Sequence, residues 1–335
     1  MRQKIIQRVV VVAVFLLLIP LMFRQERVGE APYDGVGRTS GSEFLTWKDN
    51  MLYYGAYMDE NASQDALGLY SLTFKQANSK ENGVLLAADY LKCVNAYGDD
   101  IYYINQAGGI SRIHGQTGKS ETFQTVKGHG VCDLLIVDDW LYWIEVADQV
   151  YLRAYELLTE QTAQLAIHTD KDYGQLFAYK EQIGCLTAEG EAFVIWDSVS
   201  GKMSSIPWRN VSEDEMDTSY MLYGFLDREK PVYVNGDQIW VSEDLGRTKE
   251  KEICNWKQMA GESGELVQVL VHPSEVLISV RYMEDSVPVY KNYVYRERTG
   301  KVTAVSDSAS MPQEWNGDRI IGADPLLPVG VEVTK

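Results

Sequence analysis

The sequence predicts an all-β fold, a β-propeller, on three observations. A short turn-and-anchor phrase returns about every 45 residues, its clearest copy divides into four short apolar-alternating runs, and the composition suits strands. The phrase is a polar turn rich in Asp, Asn or Gly, then an aliphatic residue, then an aromatic or second aliphatic. It reads Asp49-Asn50-Met51-Leu52-Tyr53-Tyr54, Gly98-Asp99-Asp100-Ile101-Tyr102-Tyr103 and Asp138-Asp139-Trp140-Leu141-Tyr142-Trp143. Weaker copies lead to Ile183, Val232, Val276 and Ile320, so the anchors from Leu52 onward are 49, 40, 42, 49, 44 and 44 residues apart. That period marks an array of supersecondary units.

Residues 1–30 come first in chain order and read differently from the rest. Met1-Arg2-Gln3-Lys4 and Arg8 flank an apolar stretch, and the 19 residues from Ile5 to Phe23 make a helix of about 28 Å, enough for a thin bilayer. Arg24-Gln25-Glu26-Arg27 follows where signal cleavage wants small residues, which predicts an uncleaved signal-anchor. The basic flank predicts a cytoplasmic N-terminus and a propeller outside the cell membrane. The expected organisation is a cytoplasmic stub at 1–4, a transmembrane helix at 5–23, a linker at 24–42 and an extracytoplasmic propeller at 43–335. Pro32 to Gly41 within the linker is a candidate ring-closing strand.

The repeat unit is clearest from Cys93 to Thr125. Cys93–Tyr97, Ile101–Asn105, Ile110–His114 and Glu121–Thr125 alternate between apolar and polar residues and are separated by turn chemistry. Four strands per repeat make a propeller blade. A Ser/Thr-Gly-Lys triplet recurs at Thr117–Lys119, Ser200–Lys202 and Thr299–Lys301, where glycine provides the positive φ of a tight hairpin. The 21 Tyr, 8 Trp and 8 Phe fit half-buried pleated surfaces better than helices. Seven anchors predict seven blades of four antiparallel strands. The alternative is six blades plus a closing tail, since only 15 residues follow Ile320.

Two resemblances attach to these residues. Leu141-Tyr142-Trp143-Ile144-Glu145 with Val150-Tyr151-Leu152-Arg153 resembles the YWTD blades of the low-density-lipoprotein-receptor propeller family, and also bacterial membrane-anchored propellers of unassigned function. Ser242-Glu243-Asp244-Leu245-Gly246-Arg247-Thr248-Lys249 is similar to the Asp-box of sialidase-type propellers, with Lys249 in place of an aromatic. In that family the box staples a hairpin and takes no part in catalysis.

With the five basic residues and one acidic residue of 1–27 set aside, 26 basic and 47 acidic residues remain, a formal charge of −21. Nucleic acid and anionic lipid surfaces are poor partners for such a field. Cys93, Cys132, Cys185 and Cys254 form no metal-binding spacing, and buried free thiols are expected. His114, His129, His168 and His272 stand singly and read as structural. The Asp-rich turns recur at blade period, which fits turn backbones better than single-use chemistry. No nucleophile-elbow, zinc-protease or phosphate-loop motif occurs, and Arg112, Arg153, Arg247, Arg281 and Arg296 lack the sialidase start motif. No catalytic residue, metal or cofactor is expected.

Function is expected where the repeat fails. The crossover from Pro207 to Asp217 lengthens one blade connection, and Trp208, Arg209, Glu213, Asp214, Glu215 and Asp217 are its candidate binding residues. The irregular stretch Tyr57–Asp65 is a second such place. The expected function is a membrane-anchored, non-enzymatic binding or scaffold module for a protein, peptide or envelope glycan. The alternative is a sialidase-like glycoside hydrolase.

Overall fold

The computed structural model describes residues 45–334 except the segments 49–50, 57–67, 79–82, 126–129, 166–172, 188–191, 198–201, 209–219, 309–311, 316–319 and 324–330, and residues 262, 286 and 306. The first blade comprises β1 (Leu45–Lys48), β2 (Met51–Ala56), β3 (Gly68–Thr73) and β4 (Val84–Ala87), with the one-turn helix α1 (Phe74–Asn78) between the last two. The second is β5 (Tyr90–Tyr97), β6 (Asp100–Asn105), β7 (Ile110–Ile113) and β8 (Ser120–Gln124). The third is β9 (Gly130–Val137), β10 (Trp140–Val146), β11 (Val150–Glu156) and β12 (Gln161–Leu165). The fourth is β13 (Tyr173–Tyr179), β14 (Gln182–Thr187), β15 (Ala192–Trp196) and β16 (Met203–Pro207). The fifth is β17 (Met221–Leu226), β18 (Lys230–Asn235), β19 (Gln238–Ser242) and β20 (Glu250–Asn255), followed by α2 (Trp256–Ala260). The sixth is β21 (Glu265–Val271), β22 (Glu275–Glu284), β23 (Val287–Arg296) and β24 (Lys301–Ala304). A last sheet holds β25 (Pro312–Trp315), β26 (Ile320–Ala323) and β27 (Val331–Thr334).

Every sheet is an antiparallel meander in chain order. The anchors from Leu52 to Val276 all lie on second strands and are buried, because that strand is covered by its neighbours on both sides. Innermost strands touch in sequence from β1 through β5, β9, β13, β17 and β21 to β25, which returns to β1. The expectation of seven four-stranded blades is corrected: among the described residues the propeller has six four-stranded blades, and its closing sheet has only three strands. After β24 the chain pairs β25, β26 and β27 with one another, and no fourth strand joins them among the described residues. Pro32 to Gly41 lies outside the described residues. The expected transmembrane helix at 5–23 gains no support: it too lies outside them, and among them no helix is long and apolar enough to cross a membrane.

The core lies between blades. Leu134 and Ile136 of β9 pack toward the second blade while Leu135 and Val137 pack toward the fourth, the two-residue period of a strand buried on both faces. Polar groups tie the same seams. Asp133 is buried on β9; its Oδ1 accepts from Cys93 Sγ of the second blade (3.3 Å) and from the Leu134 amide (2.8 Å), and its Oδ2 accepts from the Leu176 amide of the fourth (2.6 Å). Beside it Asn95 donates to Leu134 O (3.2 Å) and accepts from the Ile136 amide (3.1 Å). The cysteines are free thiols, two buried and two partly buried.

Candidate functional site

Of the residues proposed from the crossover, Trp208 alone falls among the described residues. Trp208 is fully buried in the core between the fourth and fifth blades. Its Nε1 donates to Tyr220 O (3.0 Å), and its ring meets Tyr233 edge-on at 5.7 Å. It therefore serves as packing rather than as an exposed anchor. Arg209, Glu213, Asp214, Glu215 and Asp217 lie in the segment 209–219, outside the described residues, as does Tyr57–Asp65.

A cavity of about 710 Å³ opens on the second blade, lined by the β5–β6 turn, the β7–β8 turn and Leu157 of the third blade. Its chemistry follows from register. Tyr102 of β6 pairs with Arg112 of β7, which pairs with Glu121 of β8, so three adjacent strands place these side chains in one row. Asp100 lies two residues before Tyr102 on β6 and His114 two residues after Arg112, just past the end of β7, and both reach the same cluster. The turn is closed by backbone bonds, His114 accepting from the Gly118 amide at 2.7 Å. Gly118 takes φ +65°, and a Cβ on Gly115 would stand 1.9 Å from Asp99 O.

The row is a mixed-charge cluster. Arg112 Nη2 lies 2.8 Å from Glu121 Oε1, and its Nε lies 3.8 Å from Asp100 Oδ2. That Nε is buried and has no hydrogen-bond partner. His114 Nε2 is 3.0 Å from both Arg112 Nη2 and Glu121 Oε1, and Nδ1 is 3.8 Å from Asp100 Oδ1. One imidazole nitrogen can accept from the guanidinium or donate to the carboxylate, not both, so the tautomer decides which neighbour is free for a ligand. Tyr97 donates to Asp139 across the blade seam (2.8 Å), and burial followed by that carboxylate pushes its phenol up to about 12. Burial raises Tyr102 as well, against the opposing pull of Arg112. Both tyrosines thus stay neutral donors at physiological pH.

These ion pairs are partly exposed, with Glu121 half open to solvent, and pairs of that kind contribute about 0–1 kcal/mol. The cluster is better suited to recognition than to holding the blade together. A polar ligand would find carboxylate acceptors, guanidinium and phenol donors, and the apolar flank of Leu157. Among the described residues no group of His, Cys, Asp and Glu could hold a metal ion. Arg112, Arg153, Arg281 and Arg296 face Glu121, Glu145, Glu265 and Glu275 of their own blades and do not converge on one point.

No protein family and no curated protein matches this sequence. Solved structures do resemble the fold. A computationally designed protein, Ika8, superposes with a TM-score of 0.50 at 13% identity, covering 89% of this chain and 96% of the other. The extracellular domain of the putative hybrid two-component system BT4673 from B. thetaiotaomicron gives 0.52 at 13% identity, covering 90% of this chain and 40% of that one. YCF48 bound to D1 peptide gives 0.53 at 10% identity, with 88% and 94% covered. The chain thus spans about two fifths of the BT4673 chain. At these identities the likeness is one of fold, and it agrees with the blades described above: the chain folds as a β-propeller.

Proposed function

We propose that this chain is a non-enzymatic binding module that holds a polar segment of a protein or peptide partner in the second-blade cavity, outside the cytoplasmic membrane. The observation that carries the reading is the row Tyr102–Arg112–Glu121, extended by Asp100 and His114. It is a ready-made set of donors and acceptors in an open basin, with little to contribute to stability. Support comes from two propellers of like fold, one described as an extracellular domain and the other as bound to a peptide. The basic residues before the apolar run of 5–23 support the external placement. The likeness of the third blade to YWTD blades belongs to the same reading. The non-enzymatic character rests on the arginines, each of which is engaged by a glutamate of its own blade.

The test is crosslinking with a membrane-impermeant reagent on intact cells expressing the full chain, comparing Arg112→Met and Glu121→Gln with the parent. A partner captured by the parent should fall about tenfold or more in both variants, the scale of a lost charge-assisted contact. A chain lacking 210–218 serves as the comparison arm. Undiminished capture by both cavity variants removes the cavity from the reading, and protection of the whole chain from the reagent removes the external placement.

A further inference from the structure

Arg247 is unlike the four arginines that face a glutamate in their own blade. Among the described residues it forms no ion pair, in a chain with 48 acidic and 31 basic residues. Its Nε and Nη1 atoms are buried and have no hydrogen-bond partner. It is held by rings instead. The guanidinium carbon lies 3.8 Å from the Tyr220 ring centroid, 5.5 Å from that of Trp208 and 6.0 Å from that of Tyr233. Aromatic faces stabilise the flat of a guanidinium but leave its in-plane N–H donors unserved. Buried donors without a partner call for an explanation, and a ligand not yet bound is one of the few available.

The surroundings hold the residue in readiness. Arg247 sits on the turn between β19 and β20 with φ 53°, a left-handed conformation that a non-glycine residue keeps only when its turn is constrained. The constraint is visible: Asp244 accepts from the Thr248 amide (3.0 Å) and hydroxyl, and the Arg247 amide donates to Asp244 O (3.1 Å). Nearby acids have other partners. Asp244 is taken by Thr248, Glu250 accepts from the Tyr233 hydroxyl, and Glu243 lies 3.5 Å from Lys230 Nζ. Arg247 and Tyr220 are only partly buried, so both residues border solvent while the Nε and Nη1 atoms of Arg247 are covered.

We propose that Arg247, backed by Tyr220, Trp208 and Tyr233, is a recognition site for the carboxylate of a peptide, with the apolar part of the ligand against Tyr220. A carboxylate matches the guanidinium fork in its plane. Phosphate, with its greater charge, would meet more repulsion from a chain of formal charge −17. The site lies on the fifth blade and is independent of the second-blade cavity.

The experiment follows the arginine Nε–Hε resonances of the full chain by NMR, with the Arg247 signal identified by its loss in Arg247→Lys. Three probes are titrated: N-acetyl-phenylalanine, with a terminal carboxylate; N-acetyl-aspartyl-phenylalaninamide, with a side-chain carboxylate; and N-acetyl-phenylalaninamide, with none. The expected result is a saturable shift of the Arg247 signal with at least one carboxylate and none with the amide; which carboxylate acts tells a chain end from an acidic side chain. Affinity, followed on the ligand signals, should weaken about tenfold or more in Arg247→Lys. It should be unchanged in Arg281→Met, whose guanidinium faces Glu265 on the sixth blade and belongs to neither site, and the Arg247 signal should still shift in Arg112→Met, which keeps failure here distinct from failure at the cavity. Thermal melts of the variants confirm folding, and Arg247→Gln replaces the lysine variant if that one does not fold. The absence of a saturable shift, an equal shift with the amide, or unaltered affinity without Arg247 would show that the guanidinium only staples two blades.

Discussion

Replacing Asp133 by alanine should unlock three consecutive blades at once. The carboxylate is 3% exposed and accepts from Cys93 Sγ, the Leu134 amide and the Leu176 amide, which belong to the second, third and fourth blades. Alanine leaves two buried amides without that acceptor, at about 1–3 kcal/mol each, so a total loss of roughly 2–6 kcal/mol is expected. Asparagine keeps one carbonyl oxygen and should lose about half as much. Urea unfolding followed by tryptophan fluorescence measures the difference. Thermal melting should fall by roughly 4–12 °C, at about 2 °C per kcal/mol, the low end of the range for domains a little smaller than this. A loss under about 1 kcal/mol for Asp133→Ala, or a greater loss for Asp133→Asn, refutes the account of this residue as an interblade acceptor.

Two further outcomes follow from packing and ionisation. In Gly184→Ala the new methyl would lie 1.9 Å from Phe193 Cζ, and Phe193 is hemmed in by Phe177, Tyr179 and Phe225. Thermal unfolding should show a loss of about 1–3 kcal/mol, and an unchanged melting temperature would mean the ring can move aside. Alkaline pH should also unfold the chain cooperatively. Burial pushes Cys132 up to about 11, Cys254 up to about 12, and Tyr54 and Tyr103 up to about 12. Each group therefore keeps its proton longer when folded. Stability is full below the unfolded values near 9 and 10 and falls as pH rises through 11 to 12. Phenolate absorbance in a pH titration should rise together with loss of the folded signal; phenolate growing well before unfolding would contradict the burial.

Blade type was legible because the turn-and-anchor phrase reports a local requirement, a tight hairpin followed by a buried second strand. The run expected at Ile101–Asn105 differs from β6 by one residue at its start. Later copies are weak for a physical reason. Lys180, Asp227 and Arg228 adopt the left-handed conformation that Gly98 adopts in the second blade, at φ 53°, 49° and 56°. The backbone repeats there while the sequence does not. Closure was harder to read, because whether a final sheet completes its fourth strand depends on partners far away in the chain. Trp208 was misread for a similar cause: next to Arg209 it looks amphipathic, and only the ring contacts with Phe193 and Tyr233 bury it. The cavity was within reach. Once four strands are assigned to the second blade, cross-strand pairing alone aligns Tyr102, Arg112 and Glu121. Reading His114 as a lone histidine hid this, since its partners are neighbours across the sheet rather than along the chain.

The closing sheet also has a temporal consequence. Its strands all come from the end of the chain, and β25 begins at Pro312 while the β1 it touches ends at Lys48. At about 5–20 residues per second, the ribosome takes roughly 13–53 s to make the intervening stretch. Throughout that interval the first blade has a neighbour on one flank at most. The nascent ring is an open arc whose leading edge must be shielded from other chains until the last strands emerge.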